Sequence, residues 1–267
     1  VALNRDSAKV FKGQTVQISA TVRKGLVEID AAVQWEISDT SIATVDADGV
    51  VTGVKVGKAP VTLTARTASG ASATCEIKVE DIVTISLSET ALTLHPNSAA
   101  TAELTATGKR GSYAINASSI NWTSQSPDIV SVTVSGGKAT LTAKKSGRVA
   151  ITASVANSDE TAVCVVDSWY AISSPADMEY LRRDLNGVFK LVNDIDFKGA
   201  IWDGVTTWMG DETPDSAYFG GTLDGQGYSI KNINIQAGWN NGIFGQTAPS
   251  CVIKNLSVVN LVNQDTS

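Results

Sequence analysis

The sequence predicts an all-β protein: two tandem β-sandwiches, then the N-terminal part of a parallel β-helix with one short capping α-helix. Three observations predict it. The stretch Val33 to Val45 returns 87 residues later as Ile120 to Val132, each built around a tryptophan, and a repeat at that spacing counts domains. Both copies alternate apolar and polar residues between turn signals, the period of strands with one buried face. Near residue 168 the composition changes, since the last hundred residues hold 12 of the 16 aromatics.

A chain of 267 residues suits two or three domains, and the repeat favours three, at 1–80, 81–167 and 168–267. The net charge of -6 is unevenly spread: these segments carry 9, 6 and 6 basic groups against 9, 7 and 11 acidic ones. An acidic balance without a basic run argues against nucleic acid as a partner. No apolar run approaches the roughly 18–20 residues of a spanning helix, so no membrane insertion is expected in this chain. The start, Val-Ala-Leu-Asn-Arg-Asp, has no signal-peptide shape and no initiator Met. The expectation is a mature or excised fragment whose targeting and anchoring segments lie outside it.

Taken in order, Thr15 to Val22 alternates Val16, Ile18, Ala20 and Val22 against polar neighbours and reads as one strand. Val33, Trp35 and Ile37 continue the pattern. Asp46 to Gly49 is a turn and Val50 to Gly53 a short strand, and Val61, Leu63 and Ala65 form a buried face before the closing Cys75-Glu-Ile-Lys-Val79. About seven strands in such a length suit a sandwich, with the indole filling the space between its sheets.

The second unit repeats the plan. Thr101 to Thr107 stands for Thr15 to Thr21, Ile129 and Val132 for Ile42 and Val45, and Val149 to Ala153 for the late strand. The offset drifts, and Gly108 to Tyr113 is the loop that absorbs the drift. Val79-Glu-Asp-Ile82 joins the units without a Gly, Pro or Ser tract, so a stiff tandem is expected. Cys75 and Cys164 occupy the same point of the two repeats and cannot meet. Both are expected as small buried thiols, and with Cys251 unpaired no disulfide is expected.

The run Trp-Glu-Ile-Ser-Asp-Thr-Ser-Ile-Ala-Thr-Val-Asp-Ala-Asp-Gly-Val-Val-Thr-Gly from Trp35 to Gly53, then Gly57 and Cys75, resembles the bacterial immunoglobulin-like (Ig-like) domain of group 2. The second copy keeps Trp122, Ser126, Asp128, Ile129, Val132, Gly147 and Cys164 but lacks Val-Thr-Gly, so its likeness rests on the repeat. The resemblance covers residues 1 to about 167. It implies two tandem Ig-like sandwiches in an exported bacterial surface protein of the invasin, intimin or large-adhesin kind, where such domains serve as stalks and sometimes bind.

The third region opens with a helix signal: Ser174 suits an N-cap, Pro175 the first helical position, and Met178, Leu181 and Leu185 share a face. Val188 to Phe197 reads as a strand pair, followed by an irregular loop through Trp202, Trp208, Asp211, Glu212 and Pro214. Ile230-Lys-Asn-Ile-Asn-Ile235 then recurs 23 residues on as Ile253-Lys-Asn-Leu-Ser-Val258, and Phe219 recurs at 25 as Phe244. A period in the low twenties suits a rung of a parallel β-helix, with Asn232 stacked on Asn255 at a bend. Gly220-Gly221 and Asp224-Gly-Gln-Gly227 read as tight rung corners, since no helix follows them to bind a phosphate. The wording Leu-Val-Asn-Asp-Ile-Asp-Phe, Phe-Gly-Gly-Thr-Leu-Asp-Gly-Gln-Gly-Tyr-Ser-Ile-Lys-Asn-Ile and Gly-Ile-Phe-Gly resembles the first coils of right-handed parallel β-helix domains carrying the GLUG motif on bacterial surface proteins. About three coils are expected before the last residue.

Chemistry is sparse. The one histidine, His95, precedes Pro96 in a turn and reads as a surface loop residue, which leaves no triad and no multi-histidine metal site. Asp194 and Asp196, at i and i+2, share a strand face as solvent-facing carboxylates, at a spacing some inverting glycosidases use. No catalytic residue, cofactor or metal is implied. The candidate ligand-binding residues are the loop aromatics Trp202, Trp208, Tyr218 and Trp239, beside Asp203, Asp211, Glu212 and Asp215. Such tryptophans stack on sugars, anchor a partner chain, or cap the helix and pack on the neighbouring sandwich. Two function classes follow. The first is a non-enzymatic, monomeric cell-surface or secreted protein, a stalk plus an adhesion module for a glycan or a host or extracellular-matrix protein. The alternative is the accessory, N-terminal part of a β-helical carbohydrate-active enzyme, a polysaccharide lyase or glycosidase.

Overall fold

The computed structural model describes residues 1–205, 218–236 and 242–264. It is all-β with one short helix, and it forms two compact units: Val1–Thr84 with Lys109–Ala114, and Ile85–Gly108 with Ile115–Ser267.

In the first unit one sheet runs in the order Ser7–Phe11, Ser72–Glu80, Val61–Thr67, Val33–Ile37, and another in the order Thr15–Gln17, Val50–Gly53, Ala43–Val45. Ala20–Lys24 lies in a third, between Ala2–Leu3 and Val27–Ile29. Alternation delivers Val51, Leu63, Cys75 and Ile77 to one buried core. The single strand expected from Thr15 to Val22 is two strands. At Ile18 the backbone N–H bonds Gly49 O, and at Ser19 it bonds the Asn4 side chain, so the chain changes sheets there. Ile18 is fully buried at the switch, which is why the alternation continues through it.

The second sandwich has the sheets Val83–Leu87, Thr101–Arg110, Lys138–Ala143, Val130–Ser135 and Ala91–Leu94, Thr161–Ser168, Gly147–Val155, Ile120–Ser124. Several bonds of the first sandwich have counterparts in it. Trp35 faces Ala65 across its strand pair, and Trp122 faces Ala153. The N–H groups of Ile42 and Ala43 bond Asp39 O, as those of Ile129 and Val130 bond Ser126 O. Ile42 O accepts from Val54 and Lys55, and Ile129 O from Lys144 and Lys145. Cys75 faces Leu63 and Cys164 faces Ile151, both thiols buried, and burial pushes both above the ordinary thiol value. Both indoles pack against their cores.

Beyond Ser168 pairing becomes parallel. Tyr170–Ile172, Val188–Leu191, Thr222–Asp224 and Val252–Lys254 stack in that order in one sheet. In a second sheet Ile195–Asp196 and Ile201–Trp202 both lie on Ser229–Gln236, which lies on Ser257–Gln264. The rings of Tyr180, Tyr170, Phe189, Phe219 and Phe244 follow one another through the core with centroids 5.6, 4.9, 6.0 and 4.7 Å apart.

The rung period differs from the expected one. Ile195 faces Ile230 and Ile230 faces Val258, while Val188 faces Thr222 and Thr222 faces Val252. These four steps are 28 to 35 residues, and others are 19 (Tyr170 to Phe189) and 39 (Val205 to Phe244), so no fixed period of 23, as read from Ile230-Lys-Asn and Ile253-Lys-Asn, holds. Those two segments lie in different sheets. Asn232 and Asn255 both adopt a left-handed backbone (φ 51°) at two different corners, a conformation that favours Asn. Their likeness is corner chemistry, and Asn232 stacks on Asn260 instead, whose Nδ2 donates to Asn232 Oδ1 at 3.0 Å.

The helix signal holds. A 3₁₀ turn over Pro175–Glu179 runs into the α-helix Tyr180–Arg183, burying Met178 and Leu181. One carboxylate oxygen of Asp177 accepts the N–H and hydroxyl of both Ser173 and Ser174 at 2.7 to 3.0 Å.

Candidate functional site

Of the four loop aromatics, Trp208 and Trp239 lie outside the described residues, as do Asp211, Glu212 and Asp215. Trp202 is 3% exposed. Its Nε1–H donates to Ile243 O at 3.0 Å, Phe197 meets it edge to face, and the Arg182 guanidinium lies 4.2 Å from a ring centroid. Arg182 also donates to Gly204 O at 2.9 Å and to both oxygens of Glu179, and it pairs with Asp203. The structure thus uses Trp202 and Asp203 to fasten the short helix to the coil. Tyr218 is 39% exposed and available to solvent.

Asp194 and Asp196 are both exposed but serve separate corners. Asp194 accepts from Lys231 Nζ at 2.5 Å and from Ser229 N–H at 2.8 Å, and Asp196 accepts from Asn232 Nδ2 at 2.9 Å and Lys198 N–H at 2.8 Å. The Lys231 ammonium holds the first below the usual carboxylate range, and the Asn232 amide holds the second there. A glycosidase acid needs the opposite shift.

Sequence reasoning missed a polar ladder. Asp196 accepts from Asn232, and Asn232 accepts from Asn260, beneath a column of left-handed residues Lys198, Asn232 and Asn260 (φ 53°, 51° and 55°). Beside it lies a trough of about 470 Å³ lined by Asp196, Lys198, Gly199, Asn232, Asn234 and Asn260, among others. Asn232 and Asn260, 28 apart, carried the only signal for it. A second cleft, of about 580 Å³, opens on the first sandwich beside Trp35, Glu36, Thr64 and Arg66. Among the described residues, no three His, Cys, Asp or Glu are grouped to hold a metal, and no helix is long and apolar enough to cross a membrane.

A companion corner buries a charge. Asp224 is 6% exposed, and burial pushes its carboxyl up, but the Gln226 N–H, the Asn255 amide and Lys254 together bring it below the usual range. Asp177 is likewise pushed up by burial and brought down further by its Ser173 and Ser174 bonds. A depressed folded value gives stability that is complete above the unfolded value, about 3.9, and is lost as pH falls through the folded one. Denaturant midpoints of the second unit should therefore be flat from about pH 6 to 8 and fall steeply below about pH 4. Asp224→Asn should show a smaller acid-induced fall than the wild type.

The chain spans between 6% and 20% of the length of four curated relatives it matches. Ice-binding protein 1 of Shewanella frigidimarina (strain NCIMB 400) is 33% identical over 172 residues, 63% of this chain and 19% of that protein. A 3-O-alpha-D-galactosyl-alpha-L-arabinofuranosidase of Bifidobacterium longum subsp. longum is 41% identical over 74 residues, 28% of this chain and 6% of that enzyme. Among solved structures, the C-terminal fragment of intimin in complex with the intimin-binding domain of its translocated receptor overlaps 62% of each chain, at 19% identity and a TM-score of 0.34. The model of the bacterial Ig-like domain (group 2) matches residues 1–77, which are the first sandwich.

Proposed function

We propose that this chain is part of a bacterial cell-surface or secreted protein, in which two tandem Ig-like sandwiches (1–80 and 81–167) carry the first coils of a right-handed, GLUG-type parallel β-helix (168–267). Its role is non-enzymatic, a stalk with an interaction module for a glycan or an extracellular-matrix or host protein. One observation supports this reading: the first sandwich matches the bacterial Ig-like model, and the bonds around its Trp35 and Ile42 have counterparts around Trp122 and Ile129 of the second. The contact residues we assign are Tyr218, Trp208 and Trp239, while Trp202 is buried.

The test is binding to a glycan and extracellular-matrix array, with a Tyr218→Ala/Trp208→Ala/Trp239→Ala variant beside the wild type and folding checked by circular dichroism. Saturable binding, lost in a folded variant, is expected. No binding by the wild type, or equal binding by the variant, would remove the interaction role from these residues.

The likeness to the Bifidobacterium arabinofuranosidase favours a second reading, in which the chain is the accessory part of a carbohydrate-active enzyme. Asp194→Asn/Asp196→Asn separates the two. Any polysaccharide-degrading activity of a preparation should be unchanged by it, and its abolition would support the enzyme.

A further inference from the structure

The first strand of a parallel coil has one edge with no preceding rung, and that edge must be covered. Here the strand is Tyr170–Ile172, which pairs with Val188–Leu191 on its other side. Its open edge meets the turn His95-Pro96-Asn97 of the second sandwich. Asn97 Nδ2 donates to Ala171 O at 2.7 Å, and Ala171 N–H donates to Asn97 Oδ1 at 3.1 Å. A side-chain amide thus makes the two bonds that a neighbouring strand would make.

Two features place this contact in register. Within the sandwich, Ala91–Leu94 runs parallel to Thr161–Ser168, with Leu94 opposite Ser168, and Trp169 N–H donates to Leu94 O at 3.1 Å. The Asn97 amide therefore extends that ladder two residues further, into the coil. The turn itself is closed by Ser98 N–H to His95 O at 3.1 Å and His95 N–H to Ala99 O at 2.9 Å. His95 is half-buried and part of the seam, where the sequence suggested a plain surface residue. Its Nδ1 lies 3.0 Å from Trp169 O, and since a carbonyl only accepts, Nδ1 carries the proton. The two rings meet edge to face at 4.0 Å.

A second loop covers the next rung. Val188 N–H donates to Ser146 Oγ at 2.9 Å, and the loop is held by Ser168 Oγ to Lys145 O at 2.7 Å. Lys190 Nζ lies 4.7 Å from the Trp169 ring.

We propose that the second sandwich is the edge cap of the coil, with the Asn97 amide standing in for the missing rung, so that the two are a single cooperative body. This goes beyond a stalk role and holds whether or not the coil binds a ligand.

The test is hydrogen exchange on the full chain, for wild type, Asn97→Ala and Asn97→Asp. Aspartate keeps the shape and the acceptor but loses the donor to Ala171 O. Both variants should exchange amides 170–172 and 188–191 at least about tenfold faster than the wild type. Amides of Val61–Thr67 and Ser72–Glu80 in the first sandwich should be unchanged. A variant whose second unit fails to fold while the first stays protected would support the cap equally. Unchanged exchange at 170–172 and 188–191 in both variants would overturn it, as would loss confined to the sandwich with the coil still protected.

Discussion

Gly225→Ala is expected to destabilise the second unit by about 3 kcal/mol or more. Gly225 stands at a close approach of one coil to the next: its N–H donates to Lys254 O at 2.9 Å, and an added Cβ would collide with Asn255 O and lie 2.6 Å from Leu256 Cα. Both are backbone atoms, which cannot swing aside as a flexible side chain would. The collision also sits beside Asp224, whose buried carboxylate binds the Gln226 N–H and the Asn255 amide. Separating the coils leaves that charge with fewer partners. The transition of the second unit, followed by calorimetry, should fall by roughly 6–12 °C. Gly227→Ala is the control. Gly227 has φ 86°, but an added Cβ there would meet nothing within 4 Å, so it should cost only the left-handed strain of about 1–2 kcal/mol. Equal effects at the two positions would refute the close approach.

Gly49→Ala is expected to cost about 2–4 kcal/mol in the first unit. Gly49 closes the turn in which Asp46 Oδ1 accepts from Asp48 and Val50 N–H. It has φ 80°, and a Cβ there would lie 2.5 Å from Ile18 O and 2.7 Å from the Trp35 ring. Left-handed strain and a displaced indole add, because the turn and the tryptophan share one contact. In calorimetry the first unit's transition should drop by roughly 10 °C or more, with the second in place. A shift of both transitions together would show that the units unfold as one.

These two sites differ in how readable they were. Asp46 to Gly49 and Trp35 are close in sequence, and the turn chemistry and the repeat at Trp122 announce themselves in the residues. The coil corners Gly220-Gly221 and Asp224 to Gly227 were also readable as corners, since glycine and aspartate are what a tight bend needs. The stacking was not. Ile230-Lys-Asn232 and Ile253-Lys-Asn255 look like one rung and the next, yet each is a left-handed corner of a different kind. Local sequence reports the bend, and only the pairing of distant strands reports which bends align.

The candidate site shows the same division. Trp202 reads as a loop aromatic until Arg182, twenty residues earlier, is seen to cover its ring. The Asn97–Ala171 contact spans 74 residues, and nothing local marks either partner. Val258 and Leu261 are 42% and 46% exposed, while Ile230 and Ile233, which they face, are fully buried.

The most direct measurement is a calorimetric scan of the unmodified chain, with hydrogen exchange sampled between transitions to assign each to its strands. Two transitions are expected, one for the first sandwich and one in which the second sandwich and the coil lose protection together. A third transition, with the coil of residues 170–264 unfolding while Thr101–Arg110 and Gly147–Val155 remain protected, would contradict this expectation.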